Sequence, residues 1–184
     1  MRDKLIWTIA ATLTLFITLQ LVHIYELDLR YIASSVDKGV LWRLFSGHLI
    51  HGNWWHLALN AAGLVACLLL FRDLENPLLL LVLSLILAFL ISAGLYYFYP
   101  HITWYLGFSG VLHGLFVIGA ILELGLLGWA VLLIMTVKVG WEMTVGPIPG
   151  TESIIGTRTV DEVHLLGAVS GLVVGWITRA IKKT

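Results

Sequence analysis

Six apolar runs, each near the length needed to cross a bilayer, constrain this chain more than any other feature of its sequence. About 20 apolar residues span the hydrocarbon core as a helix, and the runs cover approximately residues 5–25, 54–71, 77–99, 107–122, 126–145 and 161–181. With 59% hydrophobic and 12% charged residues and a mean hydropathy of +0.95, the 184-residue chain has more apolar surface than one soluble core could hide. The expectation is an all-α membrane protein, a single domain over residues 1–184 with the lipid bilayer as its solvent. The run at 5–25 is too long for a signal peptide, whose apolar region is about 7–15 residues, and it is read as the first span.

Formal net charge is zero, so no basic surface points to nucleic acid and no acidic one to cations. The single cysteine, Cys67, lies in an apolar run and leaves neither a disulfide framework nor a Cys-based metal site. No repeat, low-complexity tract or second domain is visible.

Six crossings put both termini on one side. Arg2, Lys4, Arg72, Arg179, Lys182 and Lys183 fall on that face, against Arg30, Lys38, Arg43 and Arg158 on the other, which makes the terminal face cytoplasmic. Residues 26–53, 100–106 and 146–160 are then outside. The first is a long loop of mixed aromatic and charged residues, expected to fold at the membrane interface. The third holds Gly146-Pro147-Ile148-Pro149-Gly150, which breaks any helix. Thr159 and Glu162 have the spacing of a capping box that would restart the chain as the sixth span.

Ionisable or nucleophilic side chains inside spans are costly and face the protein interior, so they are candidate sites. Four stand out: His56 and Asn60 in span two, Ser109 at the start of span four, and His164 at the start of span six. Spans two, four and six run in the same direction, so these residues lie at similar depth beneath the outer surface. His56 and Asn60, four apart, share a helix face. Gly167, Gly171 and Gly175 form a small-residue stripe near the face that carries His164. Taken singly, each has a structural explanation: a serine bonded back to a carbonyl, a His/Asn pair joining helices, a histidine at a helix end, a packing stripe.

Together these segments resemble the rhomboid family of intramembrane serine proteases. The resemblance rests on Trp42-Arg43, on His51 followed by His56 and Asn60, on Gly107-Phe108-Ser109-Gly110, and on His164 followed by Gly167 and Gly171. It implies a six-transmembrane-helix rhomboid-like bundle with no cofactor and no metal. Ser109 and His164 would form the catalytic dyad, and His56 and Asn60 would help bind the oxyanion together with the Ser109 N–H. More narrowly, the compact chain, His113, and Lys138-Val139-Gly140-Trp141-Glu142 are similar to the rhombosortase branch of bacteria. That similarity implies the bacterial inner membrane, an active site open to the periplasmic side, and a membrane-anchored substrate: a secreted protein whose C-terminal tail carries a Gly-Gly motif, one apolar helix and a basic cluster.

His113 stands where many rhomboids have a tyrosine packed on the catalytic His. One turn after Ser109, it is the alternative base. His164 is preferred, because a base from another helix approaches Ser109 without bending along its own. Lys138 and Glu142 are expected to pair, with a role in reading the tail as the alternative. Asp161 is read as serving the helix dipole rather than assisting His164. Two other functions compete: a catalytically inactive rhomboid-like binder of membrane proteins, and a metal or proton transporter suggested by His48, His51 and His56. Hydrolysis and transfer to an amine both remain open.

Overall fold

The computed structural model describes residues 2–25 and 27–182, with side chains from Leu5 onward. Glu26, Lys183 and the side chains of Arg2 and Lys4, which entered the span boundary and the charge count, lie outside the described residues. Each of the six apolar runs is helical: α1 (Arg2–Tyr25), α4 (Trp54–Leu70), α5 (Pro77–Phe98), α6 (Ser109–Leu122), α7 (Leu126–Val145) and α9 (Asp161–Lys182). Between α1 and α4 lie β1 (Tyr31–Ile32) and two one-turn helices, α2 (Ala33–Val36) and α3 (Arg43–Ser46); α8 (Thr151–Ile155) precedes α9.

Among the described residues, four helices (α1, α5, α7 and α9) are long and apolar enough to cross a membrane, so the chain is an integral, multi-pass membrane protein. A fifth span is reached if α4 is counted with the segment Arg43–Leu49, from which it bends by 92°. The helix α6 has only 14 residues. At 1.5 Å per residue it is about 21 Å long, well short of a hydrocarbon core of about 30 Å.

That short helix is the centre of the molecule. Nearly every residue from Gly110 to Ile121 is buried, as expected of a helix that is apolar on all sides. Its largest packing partner is α9, and glycine makes the approach possible. A Cβ added at Gly167 would lie 2.0 Å from the Gly110 carbonyl oxygen, and one at Gly171 would lie 2.6 Å from that of Gly114. Glycine thus faces glycine across the pair, and backbone meets backbone. The helices around α6 begin on local signals. Asn53 caps α4 by accepting from the His56 N–H at 2.8 Å. Asn76 caps α5 by accepting from Leu78 and Leu79, with Pro77 as the first helical residue.

Residues 27–53 are tied down at several points. Tyr31 pairs with Tyr105 and Ile32 with Trp104 in an antiparallel two-stranded ladder of β1 with β2 (Trp104–Tyr105). Arg43 donates to the Arg30 carbonyl, and the Gln20 amide both donates to and accepts from the His51 backbone at 2.8 and 2.7 Å. His48 Nε2 lies 2.9 Å from Ser92 Oγ, whose own proton goes to the Leu44 carbonyl.

The capping box expected at Thr159 and Glu162 does not form. The Thr159 N–H donates to Glu152 of α8 at 2.9 Å, the Thr159 hydroxyl is buried without a hydrogen-bond partner among the described residues, and Glu162 faces His101 at 3.7 Å. With α8 present, which the proline and glycine content of this segment did not suggest, a closer carboxylate takes the N–H that Glu162 would have served.

Candidate active site

Ser109 is the first residue of the 14-residue α6. It opens into a cavity of about 220 Å³ rather than onto the surface. The wall carries His56, Asn60, His113, Glu142 and His164, and Pro147, Ile148, Thr151 and Val160 of the segment before α9 also contribute. Tyr105, absent from the sequence candidates, lines it too and donates its hydroxyl proton to the Gly107 carbonyl.

His164 is placed on Ser109 by the glycine contact of α9 with α6: its Nε2 lies 2.9 Å from Ser109 Oγ. Its other nitrogen, Nδ1, lies 2.9 Å from Glu142 Oε2, and Glu142 Oε1 lies 2.6 Å from Lys138 Nζ. A carboxylate only accepts, so Nδ1 carries the proton and the Nε2 lone pair faces the serine hydroxyl. His164 on α9 and Glu142 on α7 are buried, and Ser109 on α6 is half-buried.

His113 does not reach the serine hydroxyl. Its Nδ1 donates to the Ser109 carbonyl at 2.7 Å, and its ring stacks on His164, with centroids 4.2 Å apart and planes at 19°. This leaves His113 Nε2 buried and without a hydrogen-bond partner among the described residues.

On the other side of Ser109, the Gly52 N–H donates to His56 Nδ1 at 3.3 Å, which leaves Nε2–H as the free donor of the ring. That edge lies against Gly107, where an added Cβ would come within 2.9 Å of the ring. Gly107 also has φ +127, a conformation that only glycine adopts readily, so both backbone and space require it. One amide proton of Asn60 is held by the His56 carbonyl at 3.0 Å, and its other proton is available to the cavity. Ser109 is the first helical residue of α6, and the leading N–H groups of a helix have no intrahelical acceptor. Donors from α4 and from the start of α6 thus flank the hydroxyl. Gly110 and Gly167 act one step removed, as the contact that sets the helix separation. His51 is buried with its ring edge against His56, centroids 5.0 Å apart.

A serine hydroxyl aligned on an imidazole, with donors beside it, is an arrangement that serine hydrolases use. The rhomboid-domain family model matches residues 38–181. The chain belongs to the rhomboid family. No curated protein matches it in sequence comparison. Rhomboids are in general serine-type intramembrane proteases, and the membership supports that class of activity here.

Among the described residues, the group of side chains whose potential ligand atoms all lie within 4.8 Å of one another is His113, Glu142 and His164, not His48, His51 and His56. It suits a metal poorly. Nitrogen lone pairs lie in the ring planes, and two stacked rings project them side by side rather than toward one point.

Glu142 is the site residue that the sequence reading left in a plain pair with Lys138. A signal existed: span five runs opposite to spans four and six, so its end lies level with their beginnings.

Proposed function

We propose that this rhomboid is an intramembrane serine endopeptidase in which Ser109 is the nucleophile, His164 the general base, and His56, Asn60 and the Ser109 N–H the oxyanion donors. The observation that carries the reading is the 2.9 Å contact between Ser109 Oγ and the unprotonated Nε2 of His164. In the first step the Oγ–H proton passes to Nε2 while Oγ bonds to a substrate carbonyl carbon, whose oxygen becomes the oxyanion. Collapse of that intermediate breaks the C–N bond, and the leaving nitrogen takes the proton from His164. Water or an amine then attacks the acyl-enzyme with His164 again as base.

The stacking of His113 on His164 supports a second-layer role for His113, in the place where many rhomboids carry tyrosine. The same residue, the compact chain and the Lys138/Glu142 pair support the rhombosortase branch as the closer affiliation. On that reading the chain crosses the bacterial inner membrane six times, with both termini cytoplasmic. Its substrates are secreted proteins with a C-terminal tail of Gly-Gly, apolar helix and basic cluster. The outer position of the cavity supplies water that the bilayer core lacks.

Labelling by a serine-directed fluorophosphonate tests the reading. Wild type is expected to label, Ser109→Ala to lose all labelling, and His164→Ala to lose nearly all. His113→Ala should retain a measurable part. Full labelling of Ser109→Ala would sink the proposal, and labelling of His164→Ala with loss in His113→Ala would transfer the base to His113.

A further inference from the structure

We infer that Glu142 is a positioning residue for the Ser109–His164 pair, and that Lys138 sets which of its oxygens faces the imidazole, so that the base is oriented by a carboxylate from a third helix. The inference rests on the reading of Ser109 as nucleophile and adds a member which that reading does not need.

A Lys–Glu pair at i, i+4 can be satisfied at the interface with both heads turned to water. This one is not arranged so. Glu142 is only 7% exposed, turned into the protein at the level of His164. An ionisable group in a span is costly to place inward without a partner there. Its two oxygens are divided, Oε1 on Lys138 at 2.6 Å and Oε2 on His164 Nδ1 at 2.9 Å. The division fixes the tautomer of His164, because Nδ1 must donate and Nε2 must then accept from Ser109. It also places a negative charge beside the imidazolium that forms when the serine proton arrives. Neither neighbour makes this contact. His113 meets His164 face to face and gives its own Nδ1–H to the Ser109 carbonyl. Asp161, three residues before His164, is not a hydrogen-bond partner of the imidazole, whose two nitrogens face Glu142 and Ser109.

The test uses the full chain in detergent and reads the second-order rate of inactivation by a fluorophosphonate, with thermal unfolding recorded for each variant. In Glu142→Gln, Lys138 retains the amide oxygen and the NH₂ group faces His164 Nδ1. The proton is driven to Nε2, pointing at Ser109, and the rate should fall by roughly 10²–10⁴-fold, as for a wrong tautomer in other triads. Lys138→Met combined with Glu142→Gln frees the amide to rotate and offer its oxygen to Nδ1–H, so the double variant should react at least about tenfold faster than Glu142→Gln alone. Glu142→Asp should recover part of the wild-type rate. A merely structural Lys–Glu pair predicts the opposite order, the double variant being no faster than the single. That order, or a Glu142→Gln rate within about threefold of wild type, overturns the inference while Ser109 labelling in wild type stands. Absence of Ser109 labelling in wild type would instead overturn the reading beneath it. Both Gln variants carry the same substitution, so any loss of stability it causes is common to the pair compared.

Discussion

 Ser109, Glu142 and His164 are distant along the chain, Glu142 standing 22 positions and Ser109 55 positions before His164. Their contacts are made by helix packing, and each side chain can be tested where it stands. Removing a single oxyanion donor costs about 10²–10³ in rate in other serine hydrolases, so His56→Ala and Asn60→Ala are each expected to slow fluorophosphonate inactivation by about that factor without loss of the fold. Unchanged rates in both would remove α4 from the chemistry. Away from the site, the Asp28 carboxyl is held down to about 2, chiefly by its hydrogen bond from the Arg30 side chain. The folded value lies below the unfolded one of about 3.9, so the pair adds stability above that pH and loses it as pH falls toward 2. Asp28→Asn should lower the melting temperature slightly at pH 7, since a pair this exposed contributes at most about 1 kcal/mol, and the difference from wild type should vanish near pH 2.

Among the elements, the α6–α9 contact decides whether His164 and Ser109 meet. Gly167→Ala would put a methyl group 2.0 Å from the Gly110 carbonyl oxygen, so α9 has to retreat. Overpacking of this kind costs about 1–3 kcal/mol, and a displacement of about 1 Å at a catalytic group costs on the order of 10²-fold in rate. The variant is expected to melt earlier and to label at least that much more slowly. Gly140→Ala is the matched control, because nothing lies within 4 Å of its added Cβ; it should leave the melting temperature unchanged or raise it. Equal behaviour of the two variants would mean that the stripe is not what seats α9. The segment from Gly146 to Val160 was legible as a break between helices, yet α8 and its Glu152 contact were not. A one-turn helix has too few residues for periodicity to register, and it exists here because Ile155 packs inward.

For the molecule as a whole, helix lengths and the outer segments define a bundle with one short central helix and a cavity at its end. The proposed orientation is open to a direct test in a Cys67→Ala background. With both termini inside, an impermeant maleimide applied to intact cells should modify Lys38→Cys and should reach Lys182→Cys only after permeabilisation. The reverse pattern would invert the topology, and reaction of both in intact cells would require an even number of crossings between the two positions, which contradicts the assigned spans two to six.

By itself the sequence determined where the six apolar helices lie, because runs of apolar residues bounded by polar and turn-forming ones favour helices in a bilayer; it did not show that α6 is too short to cross alone. It also singled out Ser109, His164, His56 and Asn60, since a polar side chain within such a run is conspicuous. Only the tertiary structure decided the partners. Whether His113 approached the serine hydroxyl or the face of His164 depended on ring orientation, and whether Glu142 stopped at Lys138 or reached His164 depended on how α7 turns against α9. Helical spacing tells which residues share a face; it does not tell which face meets which neighbour. That is set by the separation of the helices, and here by glycines that bring two backbones into contact.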